Sequence, residues 1–244
     1  MILAVNIGNT NIRAALGQPG IIKQIAFSAD EESVDKGSAI EMIEKSFGPI
    51  WDKLSECVMA SVVPALAEEI SIDLERKTNK PVRRIDIRNC GDLRTDLYEG
   101  LLGEDRVVCC AHALQKFEPP FIVIDYGTAT TINVVNEKGE FIGGAILTGL
   151  LTGLIALTKN TAQLPQIDYK RKDVPLIGTN TTENLLSGAV IGLACATEGF
   201  LSRIDKGNKM QVIVTGGHAP IILPHCNFKY IHEPSLLLEG LLSL

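Results

Sequence analysis

An acid and a guanidinium stand side by side in Gly103-Glu104-Asp105-Arg106. They sit where a helix begins, and two chemistries suit such a pair. In one, Asp105 caps the helix and Arg106 is a solvated charge. In the other, Asp105 is a general base and Arg106 a clamp for a substrate carboxylate. A second feature occurs twice. Residues 2–13 read ILAVNIGNTNIR and residues 121–132 read FIVIDYGTATTI. Each is a short apolar run, then Asn6 or Asp125, one residue, a glycine, a small polar pair and another β-prone run. Backbone N–H groups of a glycine turn form a small positive concavity that suits phosphate. Thr10, Thr128, Thr130 and Thr131 place hydroxyl donors nearby. A carboxylate beside such a turn can hold a metal ion that bridges phosphate oxygens. One copy taken singly is better explained by a hairpin turn. Two copies, half a chain apart, point to a duplicated unit with phosphate turns.

Thr215-Gly216-Gly217 follows an apolar run at 211–214. Glycines at a strand end either turn the chain towards a helix or let backbone approach a ligand closely. The pattern is neither G-x-G-x-x-G nor a Walker loop. Asn180-Thr181-Thr182-Glu183 fits a variant capping box, with Asn180 as cap and Glu183 reaching back. That leaves the Thr181 hydroxyl near a helix N-terminus, where a polar or anionic ligand is favoured. His218, His225 and His232 are evenly spaced, and Cys226 adjoins His225. Pro220, Pro224 and Pro234 prevent one continuous helix there, so ordinary loop histidines are preferred to a metal site. Cys109-Cys110 reads as helix packing, and reduced thiols in the cytoplasm suit six cysteines with no C-x-x-C pair.

These residues need strands and helices to position them. Apolar, Val- and Ile-rich runs before both turns predict hairpins. Further strands are expected at 57–62, 82–87 and 211–214, and a second hairpin around 136–139. Helices are expected at 39–47, 65–77 behind Pro64, 105–117, 149–162, 182–204 and 235–242. The Pro119-Pro120 pair marks a boundary between domains 1–117 and 118–244. Short strands alternating with helices imply an α/β fold. A hydrophobic fraction of 45% supplies a core, and a net charge of −6 without a basic block argues against nucleic acid as a direct partner. The most apolar segment noted, 145–157, is too short for a membrane span, which takes about 20 residues.

The motifs resemble, in order and over nearly the whole chain, those of the type III pantothenate kinases. That family is part of the superfamily of acetate and sugar kinases, heat-shock chaperones and actin. Ile7-Gly8-Asn9-Thr10-Asn11 matches its first phosphate motif. Ser61-Val62-Val63-Pro64 matches S-V-V-P, and residues 103–106 match G-x-D-R. Asp125-Tyr126-Gly127-Thr128-Ala129-Thr130-Thr131 matches D-[FY]-G-T-A-T-T, Gly178-Thr179-Asn180-Thr181 matches G-x-N-T, and Thr215-Gly216-Gly217 matches T-G-G.

The resemblance implies two tandem RNase H-like, actin-like ATPase domains with a cleft between them. It implies transfer of the ATP γ-phosphoryl to pantothenate, the first step towards coenzyme A, in a cytoplasmic homodimer. Asp105 would accept the hydroxyl proton. Arg106, the backbone at Gly103 and Glu104, Tyr98, and Thr181 from across the dimer would hold pantothenate. Asn6, Ile7, Gly8, Asn9, Thr10, Asn11, Ile12, Arg13 and Thr128 would meet the ATP phosphates, with Gly216 and Gly217 on the adenosine side. Asp125 would bind a monovalent cation, K⁺ or NH₄⁺, and Mg²⁺ would accompany ATP. Three positions depart from the pattern. Asn6 and Asn133 stand where the family has Asp, and the stretch before residue 103 lacks the usual Pro. Those departures keep a second reading open: a non-catalytic relative that binds ligand or acts as an accessory regulator of gene expression.

Overall fold

The structure is a computed structural model, describing residues 1–18, 21–28, 38–88, 90–161, 164–165, 167–171, 173–207 and 209–244. The first half runs β1 (Ile2–Ile7), β2 (Asn11–Gln18), β3 (Ile21–Ser28), α1 (Ser38–Phe47), β4 (Glu56–Ser61), α2 (Pro64–Thr78), β5 (Val82–Arg84) and α3 (Glu104–Lys116). The second runs β6 (Phe121–Tyr126), β7 (Ala129–Val135), β8 (Phe141–Thr148), α4 (Leu150–Asn160) and α5 (Thr181–Leu186). It continues with α6 (Gly192–Ile204), β9 (Gln211–Thr215), α7 (Ala219–Ile222), β10 (Ile231–His232) and α8 (Leu236–Ser243).

Among the described residues the strands make two five-stranded mixed sheets, β3-β2-β1-β4-β5 and β8-β7-β6-β9-β10. The two orders are the same order. In each, the first strand is antiparallel to the second and parallel to the fourth, and the fourth is parallel to the fifth. The echo in the sequence is therefore a repeated topology. Asn6 and Asp125 are both the next-to-last residue of a central strand, opposite Arg13 and Thr131 on the hairpin partner. The central strands are flanked on both sides, so they read as continuous apolar runs. Leu3, Val5 and Ile7 anchor the first core, and Ile122, Ile124 and Tyr126 the second.

The chain forms two compact units. One is Met1–Glu118 with Gly139–Phe141 and Ser235–Leu244, and the other is Pro119–Lys138 with Ile142–Pro234. The closing helix α8 thus joins the first unit, packed against α3, β1, β2 and β4. Gly240 allows that approach: a Cβ there would lie 2.7 Å from Val108 Cγ1 and 3.1 Å from the Val108 carbonyl oxygen. His112 Nε2 meets Glu239 Oε2 at 3.3 Å across the same seam.

Local signals act as expected at several ends. Pro64 occupies the first turn of α2, and Asn79 ends that helix in the left-handed region at φ 51°. The Lys138 amide donates to Asn136 Oδ1 at 2.9 Å and Gly139 has φ +72°, which closes the turn at 136–139. Other elements differ. Strand β3 extends the first hairpin without having been expected. The strand at 82–87 stops at Arg84, because Asp86 turns the chain by accepting from the Arg88 amide at 2.9 Å. The helix at 149–162 ends at Asn160, and Ala162 lies outside the described residues. The helix at 182–204 carries a π-turn over Ser187–Ile191, which contains Gly188. Thr181–Ile204 is a 24-residue helical run whose most apolar 18-residue stretch has a mean hydropathy of 1.5, longer than the segment at 145–157 and long and apolar enough to cross a membrane. Here it places Val190, Leu193, Ala194 and Leu201 in the second core.

Candidate active site

In the first unit the turn closes through the Gly8 amide, which donates to the Asn11 carbonyl at 3.0 Å. Asn9 and Asn11 are exposed, and Gly8, Thr10 and Arg13 are half-buried. Asn6 is buried, and Ile7 and Ile12 have their side chains wholly in the core, leaving these two only backbone atoms to offer. Strand β4 runs alongside, with Ser61 paired to Ile7 and the Val62 amide donating to the Ile7 carbonyl at 3.0 Å. The Ser61 amide in turn donates to Glu104 Oε2 at 2.7 Å. Glu104 thus ties the start of α3 to the strand beside the turn. Gly103 is the helix cap, with an ordinary φ of −63°. Its requirement is space, since a Cβ would lie 2.6 Å from Asp105 Oδ1.

Both halves of the structural reading of Asp105-Arg106 are overturned. The cap position belongs to Gly103, with no side-chain capping bond, so Asp105 is a first-turn residue. Its Oδ1 accepts from the Arg106 amide at 2.8 Å. Burial pushes the Asp105 carboxyl above its ordinary range, against the opposing pull of that amide and the Arg106 charge. Glu104 is also pushed up by burial, and further by Asp105, against the Ser61 amide and the Arg84 guanidinium 3.7 Å away. Arg106 is buried, at 7% exposure, so it is no solvated charge. Its guanidinium lies 5.6 Å from the Tyr98 ring centre and 5.3 Å from that of Phe141. The two rings meet edge to face at 5.4 Å. The structure therefore brings Tyr98, Gly103, Glu104, Asp105 and Arg106 together. Phe141 had no signal in the sequence, because it stands beyond the Pro pair and returns to the first unit through the Gly139–Phe141 segment. Cys109 and Cys110 are buried as packing, with the Cys110 thiol pushed up to about 12 by burial.

The second unit gathers Asp125, Gly127, Thr128, Gly216 and Gly217. A Cβ at position 216 would lie 2.3 Å from Asp125 Oδ1 and 2.5 Å from Tyr126 backbone, and Gly216 has φ +100°. Both space and conformation require glycine there. Thr128 and Gly217 are exposed. Thr130 is fully buried, so it offers no hydroxyl to a ligand, contrary to expectation. Asn133 is a core residue at 1% exposure, donating to the Val123 carbonyl at 3.3 Å and Thr131 Oγ1 at 3.0 Å. Its amide suits a strand neighbour better than a carboxylate would. The turn carbonyls are also engaged: Gly127 O meets His218 Nδ1 at 3.2 Å, and Thr128 O accepts from Thr152 Oγ1 at 2.7 Å. Thr152 carries no signal in the sequence, and His218 stands out there only through its even spacing with His225 and His232, although it directly follows Thr215-Gly216-Gly217.

Thr181 is exposed at the first position of α5. Asn180 Oδ1 accepts from the Glu183 amide at 3.0 Å, as a cap should. The reciprocal bond goes one residue further back, from the Thr179 amide and hydroxyl to Glu183 Oε2, both at 2.8 Å. The Thr179 amide, then its hydroxyl, holds the Glu183 carboxyl below its usual range. Beside α5, a largely apolar cavity of about 400 Å³ is lined by Leu147, Leu157, Leu185, Gly188 and Leu193 among others. Among the described residues no group of three or more His, Cys, Asp or Glu side chains could hold a metal ion by itself.

Residues 2–203 match a family described as type III pantothenate kinase. Curated relatives with that description include one from Thermus thermophilus, 34% identical over 100% of this chain and 98% of its own. Another, from Rhodococcus jostii, is 32% identical over 99% and 93%. Among solved structures, a Baf family protein from Campylobacter jejuni named as a transcriptional activator aligns at TM-score 0.62 and 18% identity, over 98% of this chain and 94% of that one. Component A of (R)-2-hydroxyglutaryl-CoA dehydratase from Acidaminococcus fermentans aligns at 0.58 and 11%, over 99% and 94%. The fold is that of the actin-like ATPases.

The raised Asp105 value has a consequence for stability. The stability that this group lends is full below its unfolded value of 3.8 and is lost as pH rises through the higher folded value. At neutral pH the charged form therefore weakens the fold. Asp105→Asn should melt higher than wild type at pH 7, by about 2–4 °C for each kcal/mol regained. That gap should close as pH falls below about 4. Equal melting temperatures at pH 7 would mean that burial does not penalise this charge.

Proposed function

We propose that this chain, which belongs to the type III pantothenate kinase family, transfers the γ-phosphoryl group of ATP to the hydroxyl of pantothenate. The observation that carries this reading is Asp105. It is a carboxylate with a pKa raised by burial, at a helix start that Glu104 ties to the strand beside a glycine turn. A base with a raised pKa takes a proton more effectively near neutral pH. In this reading Asp105 accepts the hydroxyl proton as the oxygen attacks the γ-phosphorus. The bond from that phosphorus to the bridging oxygen breaks, and ADP leaves. Arg106, held by its two rings, pairs with the pantothenate carboxylate. Gly103, Glu104, Tyr98 and Thr181 complete the substrate set. The turn at 6–13 and Thr128 meet the phosphates, with Gly216 and Gly217 towards the adenosine.

The donor set fits cations held largely by the nucleotide. Asp125 Oδ1 lies in a cradle that a Cβ at position 216 would fill, and magnesium keeps several waters while needing one or two carboxylates beside phosphate oxygens. Asp125 would hold the monovalent cation, K⁺ or NH₄⁺, and Mg²⁺ would arrive with ATP. Bound there, the metals neutralise charge on the phosphates. Asn6 adds no charge to that set, and it favours a second reading, a non-catalytic relative that binds ligand or regulates gene expression. Asn133 lends that alternative no support, since its amide is engaged in the core.

The acidic chain suits small-molecule partners over nucleic acid, and the kinase reading carries a cytoplasmic location with it. It also requires a homodimer, because Thr181 is assigned to a site shared between subunits. Exposed Ile146, Leu176 and Ile177, in the unit that holds Thr181, support such a contact. Sedimentation velocity should give a dimer, and a monomer that still turns over pantothenate would sink the shared site.

The kinase reading is tested with purified protein, ATP, Mg²⁺ and pantothenate. ADP and 4′-phosphopantothenate should form in equal amounts, and Asp105→Asn should lower kcat by about 10²–10⁴-fold while remaining folded. Near-full turnover by the variant would remove Asp105 from the chemistry. Wild-type protein that binds ATP and forms no product would favour the non-catalytic relative.

A further inference from the structure

His218 makes two hydrogen bonds to one short piece of chain. Its backbone amide donates to the Tyr126 carbonyl at 3.0 Å, and its Nδ1 lies 3.2 Å from the Gly127 carbonyl oxygen. A carbonyl can only accept, so Nδ1 carries the proton in this contact. The imidazole is itself well placed. The His218 carbonyl accepts from the Ile221 amide at 3.0 Å at the start of α7, and Tyr169 meets the ring edge to face at 5.7 Å. The next carbonyl of the turn, that of Thr128, is held by Thr152 Oγ1 at 2.7 Å. Gly149 lies under both, where a Cβ would come within 2.2 Å of Thr128 O and 2.4 Å of Gly127 O.

The consequence follows from peptide geometry. In a trans peptide the N–H points opposite to the C=O. With Gly127 O turned towards the imidazole, the Thr128 N–H is aimed away from it, on an exposed residue. A donor whose direction is set before a ligand arrives needs no reordering when an anion binds. His218 also stands two residues after Gly216, which encloses Asp125 Oδ1. One short segment therefore supports the carboxylate and sets the direction of the turn.

We propose that His218 is a positioning residue for nucleotide binding, holding the Gly127-Thr128 turn so that its amide faces a phosphate group. The proposal rests on the ATP-dependent reading above and adds a residue to it. Neither the neutral Nδ1–H form nor the protonated ring loses this donor, so the tether itself does not require a particular charge on the imidazole.

The test compares full-length wild type with His218→Asn, His218→Asp and His218→Ala. Asn can place an N–H near the position of Nδ1, while Asp has nearly the same size and no donor there. ADP binding is measured by calorimetry, and KM for ATP and for pantothenate by product formation. His218→Ala and His218→Asp should weaken ADP binding and raise KM for ATP by about tenfold, equivalent to about 1.4 kcal/mol. KM for pantothenate should stay unchanged, and His218→Asn should recover most of the ADP affinity. The proposal is overturned if all three variants bind ADP as wild type does, if both KM values rise together, or if Asn does no better than Ala. Wild-type protein that binds no ADP would overturn the kinase reading and this proposal with it, whereas indifferent variants of an ADP-binding protein would overturn the tether alone.

Discussion

Holding the Asp105 carboxylate half-buried, at the start of α3, is a demand that its neighbours are built to meet. Gly103 leaves room for the carboxylate oxygen, and the Arg106 amide donates to it. Glu104 fastens the helix start to β4 through the Ser61 amide, although its own charge raises the cost of the pair. Arg106 supplies the countercharge and is itself held against both Tyr98 and Phe141. Support continues along α3, where α8 packs closely at Gly240 and bonds through Glu239 to His112. A partly desolvated charge that weakens the fold persists where the packing around it over-determines its place, and functional sites are where such arrangements cluster.

The same strand–turn–strand device occurs in both units, yet the copies have diverged chemically. The first presents Asn6 before its glycine turn and lies beside the segment that carries Asp105. The second presents Asp125, encloses it with Gly216, and holds the turn carbonyls through His218 and Thr152. On the kinase reading proposed above, one unit would carry the acid–base residue and the other a carboxylate for a cation. Identical sheet order with different residues at matched strand ends is how a duplicated fold can divide the work of phosphoryl transfer.

Much of this was legible in the sequence because it is local. Apolar runs ending in Asn6 or Asp125 and a glycine gave both hairpins, Pro64 opened α2, and Asn180 capped α5. What the sequence concealed is set by contacts between distant residues. The burial of Arg106 depends on Phe141, from the far side of the Pro pair, and the place of α8 depends on a Gly240 that looks like any helix glycine. Asn133 looked like a lost family Asp, while its surroundings make it a core amide. His218 belongs to an evenly spaced set of histidines, and that spacing says nothing of its contact with the Gly127 carbonyl. That contact follows from its place directly after Thr215-Gly216-Gly217.

The central claim is that the half-buried Asp105 carboxyl is the base of the reaction, and the pH dependence of kcat/KM for pantothenate tests it most directly. That profile reports the ionisation of the free enzyme's essential groups. The account predicts an acid limb that rises with pH through a midpoint above the ordinary aspartate value of 3.8, because burial disfavours the charged form. A profile with no such limb, or one that turns at the ordinary value, would contradict it.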